Sequence, residues 1–204
     1  MLLKAKEGTR AFPLPMMVHI TNSGNPLISL LPLLDEGDIV THMMAAKGEA
    51  TLRRGGQILP EILDARERGV LFDIGHGRAH FPWAEVEAIV GEGFWPDTIS
   101  TDLTAGSLAG PAVSLLTTMN KLLLLGMPLR EVIAAVTSRA AAAVGYGGAI
   151  GELSPGLDAD IAVLERDQTP ARLTDTDGVT RVMKHPLRCV MVFRAGARVD
   201  AGPA

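Results

Sequence analysis

Cysteine is almost missing from this sequence: Cys189 stands alone among 204 residues, which excludes an internal disulfide and fits a reducing compartment. An excess of positive charge is missing too. Lys and Arg number 19 against 23 Asp and Glu, a formal net charge of -4, so no basic stripe is available for nucleic acid. Long hydrophobic runs are absent: Leu27–Leu34 and Lys121–Met127 fall well short of the roughly 20 apolar residues a bilayer span requires. Met1 to Arg10 carries Lys4, Lys6, Glu7 and Arg10 and holds no apolar stretch of signal-peptide length. The expectation is a soluble cytoplasmic protein that engages neither nucleic acid nor membrane.

What remains is enough for a substantial core, since 47% of the residues are hydrophobic and the charges are interspersed. Residues 1–12 pattern as an amphipathic helix, followed by the apolar run Met16–Val18 and a polar loop, Thr21 to Pro26. Ile28–Leu34 reads as helical, Ile39–Thr41 as a strand, and residues 57–68 as a helix closed by Gly69. Val70–Ile74 is a third strand. Pro82–Val90 is a helix with Ala84, Val86, Ala88, Ile89 and Val90 inward, and Thr98–Thr101 is a fourth strand. Two helices are predicted over about 110–125 and 128–143, parted by Gly126. Strands alternating with helices at this spacing imply a parallel sheet. The end differs: Asp160–Leu164 and Cys189–Phe193 are β-type runs, Ala195–Ala197 a hairpin turn, and Asp167–Lys184 a loop. A boundary between the two parts falls near Gly145–Gly151.

His19, His42, His76 and Asp102 each end a predicted strand. In an α/β barrel all strand C-termini open on one face, so residues distant in sequence meet around one mouth. Imidazoles with a carboxylate there suit a borderline cation such as Zn²⁺. A single histidine at a strand end is most simply a hydrogen-bonded structural residue; the repetition at equivalent positions is what points to a site. His80 and His185 lack such placement, because Gly77 and the aromatic-proline stretch after it break a ligand-bearing helix and His185 precedes Pro186. Asp73 reads as a residue orienting His76 or a loop amide. Arg53-Arg54-Gly55-Gly56 reads as a solvated loop with the composition of an anion site. The Met16-Met17 and Met43-Met44 pairs read as packing.

The segments Met17-Val18-His19, Asp38 to His42, Phe72 to Gly77 and Pro96 to Leu103, in this order, resemble strands five to eight of the amidohydrolase-superfamily deacetylases, often labelled dihydroorotase-like. Gly110-Pro111, Thr117 to Leu122 and Gly126 to Leu129 are similar to the helices after strand eight, and Gly156 to Leu164 to the return into a small β-sandwich. The resemblance implies an α/β fold class: the C-terminal half of a TIM-like (β/α)8 hydrolase barrel over residues 1–146, with the remnant of a β-sandwich over 147–204. It implies a two-metal, zinc-type hydrolase of an amide or ester of a small-molecule substrate. His19, His42 and Asp102 would be metal ligands, Asp102 also the general base, and His76 a substrate-binding residue. Such a metal lowers the pKa of bound water to about 7 and polarises the carbonyl, while Asp102 passes the water's proton to the leaving group.

The sequence departs from that pattern in three places. No two of the five histidines are one residue apart, so the His-x-His of strand one has no counterpart; the bridging lysine of strand four would lie upstream; and Thr104 stands where many relatives carry a histidine. About half of a barrel of roughly 250 residues is present. Half a barrel leaves an open sheet edge, which favours self-association as a homo-oligomer. Two further readings stand beside the hydrolase: a non-catalytic fragment of the same fold acting through interactions, and an unrelated α/β binding protein with structural histidines.

Overall fold

The structure, a computed structural model, describes residues 2–12, 14–46 and 50–199. Helix α1 (Leu2–Ala11) leads to β1 (Met17–His19), then α2 (Leu27–Leu30), which tightens into a 3-10 turn at Leu31–Leu33 where Pro32 supplies no N–H. Strand β2 (Ile39–Thr41) follows, then β3 (Arg53–Arg54) and β4 (Gln57–Ile58), α3 (Pro60–Glu67), β5 (Leu71–Phe72) and α4 (Trp83–Gly91). Helices α5 (Leu115–Leu124), α6 (Leu129–Val136) and α7 (Ser138–Ala143) precede an all-β tail. The tail holds β6 (Ile161–Arg166), β7 (Ala171–Thr174), β8 (Thr180–Met183), β9 (Leu187–Arg194) and β10 (Ala197–Val199).

The predicted parallel sheet is present, in the order β1-β2-β5. Its register sets Val18 beside Val40 and Val40 beside Phe72, while His19 lies beside Thr41 on the next row. The expected fourth strand contributes one parallel bridge, Asp73 to Thr98. Beyond it the pairing continues only as the amides of Ile74, His76 and Gly77 donating to the carbonyls of Thr98, Ser100 and Thr101. Gly75 and Gly77, at φ +48° and +51°, bend the chain there and end regular strand geometry.

Side chains alternate across this layer. Val40, Phe72 and Ile74 are fully buried, and Val18 and Ile99 pack into the same cluster with helix residues Ile62, Val86, Ile89, Leu122 and Val132. The opposite face carries Thr41, Asp73, Thr98 and Ser100. Asp73 accepts hydrogen bonds from all three hydroxyls, at 2.7 Å from Thr41, 2.7 Å from Thr98 and 2.6 Å from Ser100. A buried carboxylate satisfied in this way stitches three neighbouring segments together beneath the rim.

Several expectations are corrected. Residues 57–68 are a strand and a helix, because Arg53-Arg54-Gly55-Gly56 opens a tight hairpin whose two glycines take φ +63° and +87°. Arg53 pairs with Glu92 at 2.7 Å, so its guanidinium is committed to an ion pair. Ala84 faces solvent, whereas Trp83, Val86 and Ile89 form the buried stripe of α4. Met17 is 56% exposed at the β1 edge, unlike the buried Met16, Met43 and Met44. Helix α5 starts only at Leu115, where the Ser114 hydroxyl accepts from the Thr117 amide at 3.1 Å. The 128–143 helix divides at Thr137, whose φ of -127° and ψ of -100° are not helical. The loop expected over 167–184 is the β7–β8 hairpin. It docks on α4, where the indole of Trp83 donates to the Val179 carbonyl at 3.0 Å and the Trp83 amide to Asp175 at 2.9 Å. The remaining tail strands pair in the order β10-β9-β6. No described helix is long and apolar enough to cross a membrane.

Candidate metal centre

Three loops meet above the polar row of the sheet: the exit of β2, the Gly75–His80 turn after β5, and the stretch beginning at Asp102. His42 and Asp102 both take left-handed backbone conformations, φ +65° and +44°, which cost about 1–3 kcal/mol each for residues other than glycine. For His42 the reason is directional. Thr41 already faces the polar side, so a continued strand would turn its successor toward the helices; the left-handed residue returns the imidazole to the rim.

His42 Nδ1 lies 2.6 Å from the Gly75 carbonyl, which can only accept, so that nitrogen carries the proton. The lone pair of His42 is thereby fixed at Nε2, the arrangement a histidine ligand needs. Nε2 now accepts from His19 Nδ1 at 2.8 Å, and His19 Nε2 accepts in turn from the Thr21 hydroxyl at 2.6 Å. Burial lowers the pKa of His42, opposed by the Gly75 carbonyl, so the ring is held neutral.

Ligand atoms of His42, His80 and Asp102 lie within 4.8 Å of one another. The His80 ring centre is 4.0 Å from that of His42 and 6.2 Å from that of His19. His80 Nδ1 is buried and has no hydrogen-bond partner among the described residues. Burial, then the neighbouring rings of His42 and His19, lower its pKa to about 4. A neutral imidazole with an orphaned nitrogen, a second with its lone pair fixed, and a carboxylate match the donor set of a divalent cation. Gly77 makes this approach possible. A Cβ there would stand 2.7 Å from Asp102 Oδ2 and 3.2 Å from His80 Nδ1. Gly75 is as constrained, with a Cβ falling 2.2 Å from the Thr41 hydroxyl and 2.7 Å from His42 Nδ1.

Of the predicted site residues, then, His19, His42 and Asp102 come to one rim. His76 does not join them. It is fully buried, stacked on Phe81 with ring centres 4.7 Å apart, and neither ring nitrogen is free for a substrate. Its Nδ1 donates to the Gly77 carbonyl at 2.9 Å and its Nε2 accepts from Lys121 Nζ at 2.7 Å. Burial and the lysine charge lower its pKa to about 4. His80, which sequence reasoning set aside for want of a helix, reaches the cluster without one: its amide bonds the His76 carbonyl at 3.3 Å, closing a single turn. Gly77, three residues before it, was the available signal. His185 is exposed in the tail, away from this cluster.

Residues 37–199 match the amidohydrolase family. A deacetylase of Enterococcus faecalis is 33% identical over 189 residues, covering 92% of this chain and 51% of the relative. A deacetylase of Brucella anthropi is 32% identical over 173 residues, covering 85% of this chain and 43% of the relative. Among solved structures, an adenine deaminase superposes with a TM-score of 0.91 at 32% identity, covering 98% of this chain and 55% of that one. A dihydroorotase superposes with a TM-score of 0.84 at 28% identity, covering 97% and 54%. The chain spans about half the length of the relatives it matches, and its parallel layer corresponds to part of their barrel.

Proposed function

The chain belongs to the amidohydrolase family, and from that premise we propose that it supplies the cation-holding and proton-transferring side of a zinc-type hydrolase for an amide or ester of a small molecule. The observation that carries this reading is the convergence of His42, His80 and Asp102, with the His80 nitrogen buried and unpartnered among the described residues. His42 and His80 would hold the ion as neutral imidazoles, and His19, now bonded to His42, is a further imidazole within reach. A divalent cation, when bound, polarises a carbonyl and makes water acidic near neutrality. Asp102 is exposed at the mouth, so its carboxylate can accept a proton from water and deliver it to a departing nitrogen or oxygen. Gly75 and Gly77 let the backbone lie flat against these groups, keeping the carboxylate beside the His80 ring. The deacetylase relatives make removal of an acyl group the first activity to assay. A lone cysteine and the absence of a described membrane-spanning helix accord with a cytoplasmic location.

A second reading is favoured by one specific feature: β1 is the outer strand of the described parallel layer, and Met17 on it is 56% exposed. In that reading the chain binds a cation without turnover and associates through the open edge of β1. Zinc-loaded protein should be assayed against N-acetylated and cyclic-amide substrates beside Asp102→Asn. Hydrolysis that falls by about 100-fold or more in the variant supports the enzyme. Bound zinc with no turnover in either protein supports the second reading, and no bound zinc contradicts both.

A further inference from the structure

Lys121, on α5, is fully buried and has no part in the chemistry above. Its ammonium group carries three donors and meets three acceptors: His76 Nε2 at 2.7 Å, the Pro111 carbonyl at 2.9 Å and the Thr174 carbonyl at 2.6 Å. The same nitrogen sits 5.3 Å from the ring centre of Phe81 and 5.9 Å from that of Trp83. It forms no ion pair within 4 Å among the described residues. The nearby Asp175 carboxylate accepts instead from the amides of Trp83, Asp177 and Val179. An apolar side chain of similar length would fill this space without the cost of burying an ammonium. What it could not do is join three separate segments.

Those segments matter for the cation centre. His76 opens the turn that ends at His80. Its ring lies parallel to Phe81 within 3°, and its carbonyl accepts the His80 amide. Pro111 closes the stretch that begins at Asp102. Thr174 belongs to the β7–β8 hairpin, which also holds the residues directly after His80: the Phe81 amide donates to the Thr176 hydroxyl, and the Thr176 amide to the Phe81 carbonyl, both at 3.3 Å. We propose that Lys121 is a positioning residue of the centre: by gripping His76 and Pro111 together and anchoring both to the tail hairpin, it sets the spacing between the His80 and Asp102 loops. This rests on the cluster being a cation site, and it assigns the tail hairpin a part in the site's geometry.

The test compares wild type with Lys121→Met and, in case that variant does not fold, Lys121→Gln, which keeps an N–H donor. Two readouts are needed. Amide hydrogen exchange in the metal-free proteins should rise about tenfold in residues 77–81 and 102–111 together, with the amides of α3 unchanged. Zinc affinity, read by competition with a chromophoric chelator, should fall by about 10–100-fold, with the smaller loss in the glutamine variant. A merely structural lysine would accelerate exchange throughout the fold and leave the affinity of the folded fraction untouched, and that result overturns the proposal. So does unchanged exchange in the two loops. Failure of wild type to bind zinc would instead overturn the reading of the site, while the coupled exchange of the two loops would still decide the role of the lysine.

Discussion

The helix-facing side of the parallel layer and its rim-facing side follow different rules. On the first, Val18, Val40, Phe72, Ile74 and Ile99 meet helices on apolar contacts alone, and the three central residues are fully buried. On the second, Thr41, Thr98 and Ser100 converge on one buried carboxylate, and above them three imidazoles and Asp102 gather on strained or glycine-flanked turns. Apolar burial is non-directional and tolerant of small shifts, whereas a hydroxyl–carboxylate row or a cation site depends on position to a fraction of an ångström. The first face thus secures the fold, and the second sets what the fold can hold. Substitutions should therefore separate stability from cation binding according to the face they touch.

The largest effect is expected on the helix-facing side. Phe72→Ala should remove about 3–5 kcal/mol from unfolding stability, measured by urea titration, a large share of what a domain of this size has. A folded Phe72→Ala protein with normal stability would break the comparison at once. Next comes Gly77→Ala. Its Cβ must displace Asp102 Oδ2 or His80 Nδ1, so zinc affinity should fall by about 100-fold while the urea midpoint moves far less. Asp73→Asn is intermediate in kind, for it lies on the polar face but below the rim. Replacing one acceptor oxygen by an amide should cost about 1–2 kcal/mol of stability and weaken zinc binding only modestly. The smallest effect concerns pH. Burial holds the Lys121 pKa down to about 8, against 10.5 for a free lysine, so the unfolded chain keeps its proton longer. Stability contributed at this site should rise as pH climbs from about 8 to 10.5, and Lys121→Met should abolish that rise. At the other end, His76 and His80, both lowered to about 4, oppose protonation of the folded state, so stability should fall as pH drops from 6.5 toward 4.

The same contrast accounts for what could be read from the sequence. The strand-to-helix alternation and the apolar parity of Val18, Val40 and Phe72 are periodic signals, and the parallel order follows from them. The strand-end residues His19, His42 and Asp102 were legible because a strand C-terminus is a fixed address in a parallel layer. His80 was not, since its place depends on one turn through Gly77, closed by its own amide on the His76 carbonyl, rather than on helical spacing. His76 was expected at the mouth but lies behind it, because the chain bends at Gly75 and Gly77 and turns the ring onto Phe81. The β7–β8 hairpin escaped notice because its strands are four residues each and half polar, while its fixing contacts with Phe81, Trp83 and Lys121 lie 50 or more positions away. In the sequence Lys121 is a single charge heading an apolar helical run. Only tertiary contact reveals three acceptors around it.

Cation binding at the rim requires His42, His80 and Asp102 to grip one ion together. X-ray absorption on the zinc-titrated chain tests it most directly, read beside Asp102→Asn and His80→Ala. The expected spectrum is dominated by imidazole nitrogen at about 2.0–2.1 Å with at least one oxygen, its nitrogen contribution reduced in His80→Ala. A zinc shell that is identical in wild type and both variants would contradict it.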